Sequence, residues 1–214
     1  MKVYQIKIEL KDFEPLIWRR VLIPSGITFD MLHRTIQIAM GWLDYHLYIY
    51  EMSDMKLKIV CNEQCYFDWK DLCREYKEKQ EKGEPAEYLS DMADLKLKKS
   101  WNTKIDKYLK ECGSFDYEYD FGDSWYHRIT LERVGKCDDI YCPIVLEGEG
   151  SCPPEDVGGT GGYEHFLAVL KNKKHSEHEM MRKWGLGQLY RPFNLEATNY
   201  TMTYALRMGE EAEF

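Results

Sequence analysis

Residues 3 to 10 place Tyr4, Ile6, Ile8 and Leu10 on one side of the chain and Gln5, Lys7 and Glu9 on the other, the period-two pattern of a strand with one buried face. After a turn at Asp12–Pro15, the run Leu16–Ile23 is apolar on both faces, which predicts a strand covered on both sides, closed by Pro24-Ser25-Gly26. Thr28 then reads as a helix N-cap, because Phe29, Leu32, His33, Ile36, Ala39 and Met40 follow at helical spacing and Gly41 supplies the stop. Tyr45–Met52 and Leu57–Cys61 read as strands, and Pro143–Leu146 as a short one. Trp69–Lys82 is a charged helix closed by Gly83-Glu84-Pro85, the core of a surface insertion at about residues 66–90. Helices are also predicted at Tyr163–Leu170, at Ser176–Trp184 with Ser176 as cap, and at Leu195–Arg207, where Thr201 and Thr203 oppose helix. Short hairpin connections early and helices late predict a single α+β domain over 1–214, an antiparallel β-sheet packed with helices.

The hairpin from Phe115 to Val134 carries the strongest alternation. Phe115, Tyr117, Tyr119 and Phe121 share one face, and Asp116, Glu118 and Asp120 the other. A two-residue turn would set Glu118 opposite His127 and leave no core, since a one-residue slip exchanges the faces. A three-residue loop, Gly122-Asp123-Ser124, pairs Phe121 with Trp125, Tyr119 with His127, Tyr117 with Ile129 and Phe115 with Leu131. Glu118 then faces Arg128. Burial of these side chains favours this register, with His127 on the core face.

The net charge of −8 opposes binding to phosphate backbones, which depends on Lys and Arg displacing counterions. The local basic stretches, Trp18-Arg19-Arg20 and Lys171–His175, read as solvated faces. The N-terminus lacks the apolar core of a signal peptide, and no run approaches the roughly 18 apolar residues of a membrane span, so a cytoplasmic protein is expected. Seven cysteines in that setting fit reduced thiols. Cys61-x3-Cys65 and Cys137-x4-Cys142-x9-Cys152 are weak zinc-ligand candidates, since neither has paired C-x2-C knuckles.

The densest polar cluster is Asp120-Phe121-Gly122-Asp123 beside Trp125 and His127. Two carboxylates and a histidine at a strand end can hold a divalent cation or act as an acid/base pair, although Asp and Gly at a hairpin tip also satisfy turn chemistry alone. His46, four residues after Trp42, is either a ligand at the mouth of a strand or a cap on helix carbonyls. A partly buried His127 needs a partner, with Asp123 or Glu155 as the interesting ones. Pro153–Gly162 leads into a helix through several glycines, but it lacks the P-loop lysine, and Glu155 and Asp156 repel phosphate. That loop can instead place two carboxylates beside the sheet. Trp42, His46, Trp125 and Tyr163 are the candidate ligand-binding residues.

Four stretches form a recognisable pattern: Pro15-Leu16-Ile17-Trp18-Arg19-Arg20 with Pro24; Thr28 to Tyr48, including Met40-Gly41-Trp42 and His46; Tyr117-x-Tyr119-Asp120-Phe121-Gly122-Asp123-x-Trp125-x-His127; and Cys152-Pro153-Pro154-Glu155-Asp156-x-Gly158-Gly159-x2-Gly162-Tyr163, trailed by His175-x2-His178-Glu179. Together they resemble the plasmid pRiA4b ORF-3-like family, also found as passenger proteins of transposable elements, over about residues 3 to 200. The charged helix near 69–90, Trp101-Asn102 and the doubled glycine Gly161-Gly162 depart from its pattern. The resemblance implies a compact α+β fold around an antiparallel sheet and no settled reaction. Two function classes are open. One is an accessory or binding protein that recognises a protein or small ligand through an aromatic, acidic surface. The other is a metal-assisted hydrolase in which His46, Asp120, Asp123, His127, Glu155 and Asp156 converge.

Overall fold

The N-terminal alternation becomes the strand β1 (Lys2–Leu10) in the computed structural model, which describes residues 1–138 and 140–206. Tyr4, Ile6, Ile8 and Leu10 are buried, while Gln5, Lys7 and Glu9 are not. β1 pairs antiparallel with β2 (Trp18–Pro24) and with β7 (Trp125–Lys136). From β7 the sheet continues through β6 (Ser114–Tyr119), β3 (Tyr48–Met52) and β4 (Leu57–Val60) to β5 (Lys96–Lys99), and from β2 to β8 (Ile144–Glu149). Every pairing is antiparallel except β4 with β5. A parallel pair needs a crossover. The charged segment supplies it as α2 (Glu63–Lys82), capped by Asn62, and α3 (Glu87–Asp94). The expected insertion thus connects two neighbouring strands, and α2 has no fully buried residue.

Helix α1 (Phe29–Met40) covers the core face of the sheet with its predicted stripe: Phe29, Leu32, His33, Ile36, Ala39 and Met40 are all buried. Thr28 accepts from the Met31 amide, and Gly41, at φ 101, takes the left-handed conformation that only glycine adopts without cost. The helices α4 (Asp106–Cys112), α5 (Gly159–Lys171), α6 (His178–Gly187) and α7 (Leu195–Met202) complete the fold. α6 starts at His178 with no side-chain cap, so Ser176 does not serve as one. α7 is capped by Asn194 and ends among its threonines; Arg207, its expected end, lies outside the described residues. α7 also closes the edge strand β8, where the Asn199 side chain accepts from the Val145 amide and donates to its carbonyl, both at 2.8 Å.

Two further expectations fail. β2 is buried on one face only, through Arg19, Val21 and Ile23. Its other face is a polar ladder: Arg20 pairs with Glu132 and Glu147, and Lys7 and Arg20 each lie 5.1 Å from the Trp18 ring. Cationic side chains shield that indole without a second layer. The hairpin keeps the expected faces but not the expected register: Tyr119 pairs with Trp125, Tyr117 with His127, Phe115 with Ile129 and Asp116 with Arg128. The connection is the segment 120–124, with Asp120 and Ser124 at φ 58 and 56 and the Ser124 amide bonded to the Asp120 carbonyl. Phe121 accordingly leaves the core and is 51% exposed. Asp120 donates its amide to Leu47 rather than across the hairpin, so the pull toward the neighbouring segment widens the loop.

Candidate functional site

Three connections meet at one end of the sheet: residues 41–47 between α1 and β3, the hairpin turn 120–124, and the loop from Cys152 to Gly158 before α5. They are tied by backbone-directed bonds. Tyr119 Oη accepts from the Tyr45 amide at 3.0 Å, Trp42 Nε1 donates to the Pro153 carbonyl at 3.0 Å, and Asp123 Oδ2 accepts from the Gly158 amide at 3.0 Å. Asp120 Oδ1 accepts from the Gly122 amide at 2.9 Å, which leaves Oδ2 free to face inward.

His46 Nε2 sits at the centre. It lies 3.2 Å from Asp156 Oδ1, 3.6 Å from Asp120 Oδ2 and 3.9 Å from Glu155 Oε2. His46, Asp120 and Asp156 offer ligand atoms within 4.8 Å of one another, the one such cluster of three or more among the described residues. Ligands about 2.1 Å from a tetrahedral cation stand about 3.4 Å apart, so the two shorter distances suit a shared ion. Asp120 and Asp156 both take left-handed backbone conformations, φ 58 and 56, which aspartate tolerates better than most residues.

Glu155 is the unusual member. It is 1% exposed, and its Oε1 accepts from the Leu43 amide at 2.8 Å and from Tyr119 Oη at 3.0 Å. Its Oε2 is buried without a hydrogen-bond partner, as is His46 Nε2. Burial raises the Glu155 carboxyl above the usual carboxylate range, opposed by the Leu43 and Tyr119 bonds. A buried acceptor held in place on one oxygen and bare on the other costs stability unless something arrives to use it.

The structure sorts the remaining candidates. Asp123 is spent on the Gly158 amide and does not join the cluster. His127 is fully buried across from Tyr117 and edge-on to Trp42 at 5.1 Å; both its ring nitrogens lack partners, and neither Asp123 nor Glu155 reaches it. Burial pushes its pKa down to about 3, so it is neutral. Trp125 is wholly buried. Tyr163 is a packing residue: its ring lies 4.9 Å from Phe13 and its hydroxyl donates to the Ser151 carbonyl. Trp42 lines a cavity beside the end of α1. The aromatic face of β6 points into the core, not to solvent. Cys137, Cys142 and Cys152 join no group of three or more ligand-type side chains among the described residues; Cys152 is half-buried near Arg19, and desolvation raises its thiol pKa. Cys61 and Cys65 form no cluster either. Lys171, Lys173 and Lys174 are exposed, whereas Arg19 is wholly buried. Among the described residues no helix is long and apolar enough to cross a membrane.

Sequence reasoning named His46, Asp120, Glu155 and Asp156 but missed Tyr119 and the Leu43 amide, which aim Glu155. Leu43 acts through its backbone, which no residue type signals. Tyr119 was legible only as one more aromatic on the buried face.

A family model described as plasmid pRiA4b ORF-3-like protein matches residues 2–201. A protein of Sinorhizobium fredii named "Uncharacterized protein y4hQ" is 34% identical over 182 residues, 85% of this chain and 80% of that one. The crystal structure of a protein of unknown function, MM3350 from Methanosarcina mazei Go1, superposes with a TM-score of 0.70 at 31% identity, covering 92% of this chain and 97% of the other. The fold, the motifs and the extent of the match agree, and the chain belongs to the plasmid pRiA4b ORF-3-like family.

Proposed function

We propose that this protein is a divalent-metal-dependent hydrolase, with His46, Asp120 and Asp156 as metal ligands and Glu155 as general base. The observation that carries the reading is the bare, buried Glu155 Oε2 facing the three-ligand cluster. A cation there supplies Lewis acidity and lowers the pKa of a bound water toward neutrality. Glu155 Oε2 would be placed to accept a proton from water there, while Tyr119 and the Leu43 amide hold Oε1 and fix its direction. Asp156 is largely exposed, which leaves the outer side of the site open to substrate.

The test is metal content and metal response. Purified protein should carry, or after chelation regain, one zinc, manganese or magnesium ion per chain, with a rise in melting temperature. Asp120→Asn with Asp156→Asn should abolish both at unchanged fold by circular dichroism. Glu155→Gln should keep the ion and lose turnover on nitrophenyl ester and phosphate substrates. A wild-type protein that binds none of the three ions removes the reading.

A further inference from the structure

A cavity of about 190 Å³ lies where the end of α1, the Cys152–Glu155 loop and residues 188–194 between α6 and α7 meet. Trp42, Pro153, Tyr190 and Phe193 give it largely apolar walls. Its charged lining consists of Arg19, Arg191 and Glu155. Glu155 makes no ion pair with either arginine among the described residues: one oxygen is bound by Leu43 and Tyr119 and the other faces His46.

Arg19 is 0% exposed, and its four hydrogen bonds all go to backbone carbonyls: Ala39, Trp18, Glu149 and Gly150, at 2.7–2.9 Å. A guanidinium has five N–H groups, so one on Nη2 is left over. No carboxylate pairs with Arg19 among the described residues, and the Phe193 ring stacks on it at 3.9 Å. Carbonyl dipoles satisfy hydrogen bonds but leave the net charge in place, and buried charge is costly without a counter-ion. Desolvation accordingly draws the Arg19 pKa down to about 10. Arg191, exposed on the same cavity, also has no ion pair among the described residues.

We infer that this cavity binds a small organic anion, its apolar body against Trp42, Tyr190 and Phe193 and its carboxylate or phosphate head on Arg191, with Arg19 balancing the charge from within the wall. The site goes beyond the metal centre and stands or falls without it.

The experiment is calorimetric titration of chelator-treated, metal-free protein with benzoate, phenyl phosphate and neutral benzyl alcohol. At least one anion should bind saturably, one per chain, and at least about tenfold more tightly than benzyl alcohol. Relative tightness of the two anions identifies the preferred head. Arg191→Glu, an exposed change that leaves the Arg19 bonds alone, should weaken the anion at least about tenfold. Arg19→Met should do the same if it folds, but the inference does not depend on it. No saturable binding of either anion, equal binding of benzyl alcohol, an unaffected Arg191→Glu variant, or binding only after metal is restored would each overturn it. The last outcome would place the anion on the metal centre instead.

Discussion

Two polar clusters are buried under α1 and the adjoining loops, and they are treated differently. In the first, His33 bonds Tyr117 Oη through Nδ1 at 2.8 Å and Asp44 through Nε2 at 2.7 Å, and stacks on Tyr48 at 3.6 Å. Gln37 donates to the same Tyr117 hydroxyl, Tyr48 Oη donates to Asp30 and accepts from the Ser100 hydroxyl, and Tyr50 donates to the Phe29 carbonyl. In the second, His46 Nε2, Glu155 Oε2, Trp125 Nε1 and both nitrogens of His127 have no partner. Outside this group, the one comparable atom among the described residues is Asp116 Oδ1, which faces Arg128 Nε at 3.0 Å. Strand β6 serves both clusters, through Tyr117 in the first and through Tyr119 against Glu155 in the second, so the fold is able to satisfy buried groups. Where it does not, at His46 and Glu155, the bare atoms are those the proposed metal site would use.

The comparison is sharpened most by acid. His127, with a folded pKa near 3 against about 6.5 unfolded, stays neutral while the unfolded chain takes up a proton between those values. The stability this represents is complete above about pH 6.5 and is lost as pH falls toward 3, on the order of 3–5 kcal/mol in all. His127→Leu should remove that slope, so that the variant gains on wild type in urea melts as pH is lowered from 7 to 4. Parallel curves would show that His127 has a partner. In the satisfied region the expected cost is of packing: Leu32→Ala, in the buried stripe, should lose about 2–5 kcal/mol by urea unfolding. A loss under about 1 kcal/mol would mean that α1 does not press on the sheet.

Glu155→Gln should act in the opposite direction, raising the stability of metal-free protein by about 1 kcal/mol, since it keeps the shape and removes an uncompensated buried charge. Because the Glu155 pKa is raised on folding, its protonated form stabilises at low pH and that contribution is lost as pH rises. The gain should therefore be larger at pH 8 than at pH 5. A destabilised variant at both would place Glu155 with the satisfied group. The smallest effect belongs to the crossover: Arg74→Ala on α2, which breaks an exposed pair with Asp71, should shift stability by less than about 0.5 kcal/mol.

Patterning revealed the sheet's central strands and α1 because a buried face leaves a period in the sequence. The short β5, Lys96–Lys99, and α4 left none strong enough to read: β5 pairs only at the sheet edge and shows two lysines to solvent. The double covering expected of β2 came from counting Trp18 and Leu22 as buried, when neighbouring cations shield Trp18 at the surface. The hairpin faces were legible from alternation, but the register was set by a bond from Asp120 to Leu47, in a segment more than 70 positions away, which no local rule contains. For the site, residue chemistry identified His46, Asp120, Glu155 and Asp156, yet it equally proposed Asp123 and His127. Only the backbone amide of Gly158 and the depth of the core separate them.

The clamp of Asn199 on Val145 has a consequence for how copies of this chain treat one another. An open sheet has two ends, and each is a template on which another chain can extend the ladder. At one end, lysines on β5 oppose the approach of a like strand. At the other, a single side-chain amide presents a carbonyl and an N–H in the places where a ninth strand would put its own backbone. It terminates growth by imitation. A chain without that amide would keep its core and its His46, Asp120 and Asp156 cluster, and would open the Val145 backbone groups to pairing along β8.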